Sequence, residues 1–244
     1  MPRFFVNKDN VSDGVIEIAG QDAFHIARSL RMAVGDEITV SDGEGTEYTA
    51  VLTKIRDEVC LAEITSQSEA TTEFPVSVTL FMAYPKGDKL ETVIQKAVEL
   101  GADRIVPFES SRCIKRPKAE KADKLLGRLG RIAEEAAKQC GRSKLPTVTS
   151  PVSYKEMLII AKELDTTLLC YEDEKQLSIK NVLDGIKEGS KVGVIVGSEG
   201  GFSPEEAALA TENGAVSVSL GKRILRCETA PLFALSCIAY RFEL

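Results

Sequence analysis

The chain has 244 residues, of which 43% are hydrophobic and 28% are charged, so it can bury one large core or two smaller ones. Its formal net charge of −6, taken alone, argues against a nucleic-acid partner, because proteins that bind phosphate backbones usually carry a basic surplus. The chain has a single histidine, His25. This excludes sites that need two histidines and any serine–histidine–aspartate triad away from position 25.

The six cysteines, at positions 60, 113, 140, 170, 227 and 237, form no Cys-x-x-Cys pair. This spacing indicates free thiols rather than a zinc site or a disulfide framework, and no metal is predicted. The sequence shows neither a signal peptide nor a long apolar run. We therefore expect a cytoplasmic protein without a membrane segment.

The charge is distributed unevenly along the chain. Residues up to Thr72 include 6 basic and 13 acidic side chains, whereas the remainder includes 25 basic and 24 acidic ones. Residues 112–144, which we call the basic stripe, hold 11 basic residues and only 4 acidic ones. The acidic average therefore conceals a segment that could bind a polyanion, although a solvated helix face is the common alternative for such a run.

The first 65 residues have the pattern of short strands separated by turns. Apolar and polar residues alternate at 15–18 and 37–40, and strands are also predicted at 48–52 and 59–64, with one short helix at 21–31. Short strands at this spacing predict a small β-barrel. The polar segment 65–73 predicts a linker, so domains are expected at residues 1–70 and 74–244.

After the linker, predicted strands and helices alternate. This alternation favours an α/β fold in which helices cover both faces of a mainly parallel sheet. The predicted strands are residues 76–83, 104–107, 166–171, 191–196 and 215–220, and the predicted helices are residues 89–100, 119–140, 203–214 and 230–242.

The most informative stretch is a glycine loop, residues 197–201 (Gly-Ser-Glu-Gly-Gly), between a predicted strand and a predicted helix. Ser203 and Pro204, with Glu206 following, have the pattern of a helix start. Such loops at the carboxyl edge of parallel sheets often bind nucleotides, although an ordinary tight connection has the same pattern. The loop lacks Gly-x-Gly-x-x-Gly and a Walker lysine, so a dinucleotide or nucleoside triphosphate is disfavoured.

A second candidate segment is residues 220–230 (Leu-Gly-Lys-Arg-Ile-Leu-Arg-Cys-Glu-Thr-Ala), which we call the charged loop. Two guanidiniums, an ammonium and a carboxylate lie between apolar segments. These charges would be costly to bury unless they are paired or used by a ligand. A solvated loop with an incidental arginine–glutamate pair is the alternative.

Together these motifs resemble the family of small-subunit (16S) ribosomal RNA uridine-N3 methyltransferases, which belong to the trefoil-knotted SPOUT class. The resemblance spans the whole chain. One departure is Ser198, where the family usually has proline. The resemblance is carried by Arg3-Phe4-Phe5, His25 with Leu30-Arg31-Met32 and Gly35-Asp36, Lys86-Gly87-Asp88-Lys89, residues 95–101 and 134–142, the glycine loop and the Arg-Ile-Leu-Arg-x-Glu-Thr-Ala motif at 223–230.

The resemblance implies a PUA-like N-terminal barrel that assists RNA binding and a knotted catalytic domain in a homodimer. It also implies S-adenosylmethionine as cofactor and ribosomal RNA, free or in the small subunit, as substrate. The cofactor residues carried over from the family are Leu169, Cys170, Tyr171, Gly197, Ser198, Glu199, Gly200, Gly201, Leu220, Gly221, Ile224, Leu225 and Thr229.

Methylation of uridine N3 requires removal of a weakly acidic imide proton, and Glu228 and Glu199 are the candidate bases. Arg226 is the candidate for stabilising negative charge on a uracil carbonyl. We favour a catalytic Glu228 over one that only forms a salt bridge with Arg226 or Arg223, and we expect His25 to be structural. The predicted RNA contacts are Arg3, Arg112, Lys115, Arg116, Lys118, Lys121, Lys124, Arg128 and Arg142.

Three other functions are compatible with the same motifs. A ribose 2′-O methyltransferase would keep the fold and change the acceptor atom. A non-catalytic RNA-binding adaptor would use only the barrel and the basic helix. An unrelated α/β enzyme would use the glycine loop for a phosphate.

Overall fold

The structure is a computed structural model that describes residues 1–69, 72–114 and 122–244. Two compact units are present. Unit 1 comprises Met1–Glu73 together with Ala137–Leu145, and unit 2 comprises Phe74–Ala136 together with Pro146–Leu244. Across the described ranges, no helix is long and apolar enough to cross a membrane.

Unit 1 is built on a curled six-stranded sheet with the order β1-β4-β5-β6-β3-β2. The β1–β4 pair is parallel and the other pairs are antiparallel. The four predicted strands are confirmed, whereas β1 and β2 were missed because two or three residues show no periodicity. The strands are β1 (Arg3–Phe5), β2 (Val11–Ser12), β3 (Val15–Ala19), β4 (Glu37–Ser41), β5 (Thr46–Lys54) and β6 (Val59–Glu69).

One face of this sheet forms the core of unit 1, because alternate residues of each strand point to the same side. Ile16 and Ile18 of β3 are buried together with Phe4 of β1. The predicted helix is present as α1 (Gln21–Phe24), which continues as a π-helical turn over His25–Ser29. His25 itself is exposed, so it contributes little to the core.

The predicted linker at 65–73 is wrong over its first half. Strand β6 continues to Glu69, and its register pairs Ser66 with Thr49 and Ser68 with Glu47. The side chains of this stretch are exposed, so their polarity misled the prediction. Backbone hydrogen bonding to β5, which is independent of side-chain polarity, extends the strand. Residues 70 and 71 lie outside the described residues.

A buried ion pair holds residues 137–145 within unit 1. The guanidinium of Arg142 contacts the carboxylate of Glu73 at 2.5 Å, and the two side chains are only 5% and 11% exposed. The other oxygen of Glu73 accepts hydrogen bonds from the backbone N–H groups of Ser143 at 3.0 Å and Lys144 at 3.1 Å. The prediction that Arg142 contacts RNA is therefore wrong in this structure, because its guanidinium is buried against its partner.

Unit 2 contains a seven-stranded sheet in which every strand pair is parallel. The order is β10-β8-β7-β12-β11-β13, with β9 also beside β8. The predicted parallel α/β architecture is thus confirmed, although the two-residue strands β9 and β10 were missed. The strands are β7 (Ser77–Ala83), β8 (Arg104–Glu109), β9 (Thr147–Val148), β10 (Val152–Ser153), β11 (Thr166–Cys170), β12 (Lys191–Val196) and β13 (Ala215–Val218).

The helices of the α/β part include the four that the sequence predicts, and α4 and α5 in addition. Helix α4 begins with a capping box between Ser153 and Glu156, and α6 begins with the predicted box between Ser203 and Glu206. The helices are α2 (Lys89–Glu99), α3 (Ala122–Cys140), α4 (Tyr154–Ala161), α5 (Ile179–Leu183), α6 (Pro204–Glu212) and α7 (Thr229–Phe242).

The strand register brings four connecting loops to one edge of the sheet of unit 2. Because the strands are parallel, their carboxyl ends lie at the same edge, and the row of paired residues there is Met82, Val196, Cys170 and Val218. The segments that follow these residues therefore emerge side by side. They include the glycine loop and the start of the charged loop, which are separated by 18 residues in the sequence.

Replacing Glu73 with Gln would remove the carboxylate that faces the buried Arg142 guanidinium. We expect the free energy of unfolding to fall by about 3–5 kcal/mol, measured by urea unfolding at neutral pH. Burial would raise the pKa of Glu73, but the hydrogen bonds and charge of Arg142 lower it below its usual value. The stabilisation is therefore present above the usual pKa of a glutamate and is lost as the pH falls through the lowered pKa of Glu73. The free energies of unfolding of the wild type and the variant should accordingly converge in acid.

The matched control is Glu99→Gln, which removes the carboxylate of the more exposed Lys96–Glu99 pair on α2. This loss should cost less than about 1 kcal/mol. Equal losses in the two variants would contradict the structural importance of the Glu73–Arg142 pair.

Candidate active site

A cavity of about 410 Å³ lies at the carboxyl edge of the sheet of unit 2. Its wall comes from the segments after β11, β12 and β13, and from Lys89 at the start of α2. Ten of the thirteen predicted cofactor residues line it; the others, Leu169, Gly200 and Thr229, adjoin lining residues in the chain. The ten are Cys170, Tyr171, Gly197, Ser198, Glu199, Gly201, Leu220, Gly221, Ile224 and Leu225.

The glycine loop forms a tight turn in which a side chain would be crowded at Gly197 and conformationally strained at Gly201. The Gly201 N–H donates to the Ser198 carbonyl at 3.0 Å, and Gly201 has a φ of 63°. A Cβ at Gly201 would collide with the carboxylate of Glu172, and one at Gly197 would lie 3.2 Å from the backbone of Gly201. The turn therefore depends on glycine for conformation and for space.

Arg112 packs against the outside of this turn. Its Nη1 donates a hydrogen bond of 2.9 Å to the carbonyl of Gly200. A Cβ at Gly200 would lie 2.9 Å from the Arg112 Cβ, so the third glycine permits this close approach. Arg112, predicted as an RNA contact, thus also supports the loop.

Ser198 occupies an unusual position in the wall of the cavity. It is 6% exposed, and its hydroxyl has no hydrogen-bond partner among the residues the structure describes. A buried hydroxyl without a partner costs about 1–3 kcal/mol relative to a paired one. Its position in the cavity lining means that a bound molecule with a polar atom could supply the missing partner.

Lys89 bridges the two acidic residues that the sequence identifies as candidate bases. Its Nζ lies 3.1 Å from Glu199 Oε1 and 3.1 Å from Glu228 Oε2. Glu199 also accepts a hydrogen bond from the Lys86 backbone N–H at 3.1 Å, and the Cys227 thiol donates to Glu228 Oε2 at 3.2 Å. We call Lys89, Glu199 and Glu228 the acid–lysine bridge.

The bridge keeps all three of its groups ionised at neutral pH. Hydrogen bonds to Glu228 and Glu199 raise the pKa of Lys89 to about 12. The pKa of Glu228 is lowered by its own backbone N–H and by Cys227 and Lys89, against the effect of burial. Burial would raise the pKa of Glu199, but its backbone N–H, Lys89 and the Lys86 N–H together lower it. The bridge therefore carries two negative charges and one positive charge.

The cation beside Glu228 differs from the one that the sequence suggested. Arg223 and Arg226 are exposed and form no ion pair with any residue in the described ranges, so the alternative of an Arg–Glu228 salt bridge is wrong. The partner is Lys89, which belongs to the Lys86-Gly87-Asp88-Lys89 motif but for which the sequence predicted no functional role. No local pattern connects it to Glu228, because the two meet only through the folded sheet.

The other predicted RNA contacts are divided among several environments. Lys124 is exposed, Arg128 pairs with Glu91 at 2.7 Å, and Arg3 pairs with Glu47 at 2.6 Å with little exposure. Four of the predicted contacts lie outside the described residues: Lys115, Arg116, Lys118 and Lys121.

Family models match both parts of the chain. An RNA methyltransferase domain matches residues 72–239, and an RNA methyltransferase PUA domain matches residues 18–65.

Curated relatives and solved structures match nearly the whole chain. Ribosomal RNA small subunit methyltransferase E of Bacillus subtilis is 33% identical, covering 100% of this chain and 98% of the relative. The protein of the same name from Synechocystis is 31% identical over 97% of this chain and 76% of its own. A crystal structure of ribosomal RNA small subunit methyltransferase E from Neisseria gonorrhoeae bound to S-adenosyl methionine has a TM-score of 0.85 and 32% identity, covering 99% and 98% of the two chains.

Proposed function

The chain belongs to the RNA methyltransferase family that includes ribosomal RNA small subunit methyltransferase E, and from this membership we propose its reaction. We propose that it uses S-adenosylmethionine to methylate N3 of a uridine in small-subunit ribosomal RNA. The acid–lysine bridge beside the glycine-walled cavity is the observation that supports this chemistry. Its ionised Glu228 carboxylate lines the cavity, which supports a site where a methyl donor and a uracil could meet.

The cavity has the chemistry that S-adenosylmethionine requires. Its volume of about 410 Å³ lies within the usual range for small-molecule sites. Leu220, Ile224 and Leu225 supply apolar surface for an adenine, and Ser198 supplies an unpartnered hydroxyl. The carboxylates of the bridge favour a sulfonium cation nearby. When bound, the cofactor supplies an electrophilic methyl group, so the protein must orient the acceptor and remove its proton.

Within the bridge, Glu228 is the better candidate for the general base. Glu199 is held by the Lys86 N–H, which contacts both carboxylate oxygens at 3.1 and 3.4 Å, and by Lys89. Glu199 therefore acts mainly as a brace between the glycine loop and the segment before α2. Glu228 lies at the start of α7, and its contacts to Lys89 and Cys227 are both made through Oε2.

The proposed reaction is tested by primer extension on small-subunit RNA from a strain that lacks the protein, before and after treatment with protein and cofactor. An N3-methyl group blocks Watson–Crick pairing, so the wild type should create a strong new stop. A ribose 2′-O-methyl product would give at most a weak pause, and an adaptor would give no change. Glu228→Gln should abolish the stop, whereas calorimetry should still detect binding of S-adenosylmethionine. An unchanged single-turnover rate in this variant would remove Glu228 from its proposed role.

The role of Ser198 in cofactor binding can be separated from its effect on stability. Ser198→Ala removes a buried hydroxyl that has no partner in the described structure, so the melting temperature without ligand should not fall. The affinity for S-adenosylmethionine, measured by calorimetry, should weaken about 3- to 10-fold, as expected for one lost hydrogen bond. The control is Ser217→Ala, on β13 outside the cavity lining, which should leave the affinity unchanged. Equal affinities in Ser198→Ala and wild type would contradict the contact.

We further propose that the basic stripe holds the phosphate backbone of the RNA. Lys124 is exposed and forms no ion pair with any residue in the described ranges, whereas Arg128 is paired with Glu91. Lys124→Ala should weaken binding to all sequences and reduce the slope of log affinity against log salt by about 0.7–0.9. The comparison is Lys162→Ala, on the segment after α4 and outside the stripe, which should leave the slope unchanged. A wild-type affinity that is independent of salt would contradict phosphate binding.

A homodimer belongs to the same proposal, together with a knotted catalytic domain and a cytoplasmic location. Helix α7 buries Ala234, Leu235 and Ile238 on one face, whereas Phe233 and Tyr240 on another face are 39% and 75% exposed. We expect sedimentation velocity to give twice the 26.5 kDa chain mass. The double substitution Phe233→Glu/Tyr240→Glu should give the monomer mass, and an unchanged dimer would place the interface elsewhere.

A further inference from the structure

Lys89 holds a fixed position at the wall of the cavity. It is the first residue of α2, directly after Gly87 and Asp88, and Gly87 has a φ of 64°. The helix is anchored by a buried apolar face that includes Leu90, Val93 and Ile94. The ammonium therefore reaches Glu228 from a rigid element, whereas Arg226 lies exposed on the charged loop.

The acid–lysine bridge presents a hydrogen-bond acceptor directly beside a donor. Glu228 Oε2 and Lys89 Nζ are 3.1 Å apart, and both residues line the cavity. The Watson–Crick edge of uracil has the complementary order, since its N3–H donor lies between two carbonyl acceptors. A carboxylate at N3–H and an ammonium at an adjacent carbonyl would therefore pair with the same edge of the base.

We propose that Lys89 is a catalytic and specificity-determining residue that binds a carbonyl oxygen next to N3 of the target uridine. The inference rests on the proposed function. As the N3–H bond breaks, its proton passes to the Glu228 carboxylate, and negative charge spreads from N3 onto the neighbouring carbonyl oxygens. The Lys89 ammonium stabilises this charge. N3 then forms its bond to the methyl carbon while the carbon–sulfur bond breaks, and that bond's electron pair stays on the sulfur of S-adenosylhomocysteine.

The protonation of the bridge agrees with this division of roles. The pKa of Lys89 is raised to about 12, so its side chain stays an ammonium at neutral pH and offers no amine that could act as a base. Glu228 has a lowered pKa and is a weak base in isolation. A nearby cation compensates for this weakness, because it lowers the energy of the deprotonated uracil, which is the product of the same proton transfer.

The bridge also discriminates between pyrimidines. Cytosine has a lone pair at N3 and an amino group in place of the carbonyl at C4. A carboxylate at N3 would face that lone pair, and the ammonium on the C4 side would face another donor. Both contacts would be repulsive, so cytosine is rejected by mismatched hydrogen-bond polarity.

The test compares single-turnover methylation of small-subunit RNA at saturating cofactor with calorimetric binding of S-adenosylmethionine. Lys89→Met should slow methylation about 100- to 1000-fold, as when one donor to a developing oxyanion is removed, with cofactor affinity unchanged. Lys89→Arg should recover most of the rate. Lys96→Met on the same helix, whose lysine pairs with Glu99, is the matched control and should keep the wild-type rate. Thermal melts verify folding, and Lys89→Gln replaces Lys89→Met if that variant does not fold.

A second variant separates catalysis from simple charge neutralisation. Lys89→Met leaves Glu199 and Glu228 as neighbouring unpaired carboxylates, and repulsion alone could then reduce the rate. The double variant Lys89→Met/Glu199→Gln removes that repulsion and keeps Glu228 ionisable. Continued slow methylation supports the proposal, and a recovered rate overturns it.

Two other results would also overturn the assignment. A wild-type rate in Lys89→Met would show that the ammonium takes no part in the reaction. Loss of cofactor affinity in parallel with the rate would make Lys89 a cofactor-binding residue. In both cases the wild type still produces the N3-methyl stop, whereas failure of the proposed function would remove that stop from the wild type itself.

Discussion

Parallel pairing of β7, β12, β11 and β13 is the constraint on which the rest of unit 2 depends. It forces the carboxyl ends of these strands to one edge, so the loops that follow them share a single cavity wall. Neither the glycine loop nor the charged loop forms the site alone. The register brings Glu199 and Glu228 within reach of Lys89, which follows β7. The chemistry of the site is thus a product of strand order as much as of residue type.

Hydrophobic pattern and capping signals were sufficient to predict most elements and both loops at the cavity. The predictions failed where a residue's partner lies far away in sequence. Lys89 received no role because only the folded sheet brings it to Glu228, and Arg142 was assigned to RNA because its buried partner Glu73 is remote in the chain. The polar end of β6 was read as a linker for a related reason. Strand pairing, which side-chain composition does not report, decides its conformation.

Net charge is a poor guide to function in this chain because opposite charges serve separate purposes. The net charge of −6 comes entirely from the first 72 residues, because the remainder of the chain has one more basic than acidic side chain. Within the site, the bridge combines two carboxylates with one ammonium, an arrangement suited to a cationic methyl donor and a neutral base. Attraction for a polyanionic RNA must come from other surfaces. Charges within a few ångströms of the site, where screening by salt is weak, are therefore a better indicator of function than the net charge of the chain.

The pairing of β7 with β12 has a consequence for how the protein folds. Its register joins Ser77 to Lys191, so more than a hundred residues must be synthesised before the centre of the sheet can close. Contacts between such distant residues form slowly, because loop closure costs entropy before it yields any stabilisation. During synthesis, β7 therefore has one unpaired and strongly apolar edge until β12 emerges. This edge is therefore open to incorrect strand pairing until β12 has been synthesised.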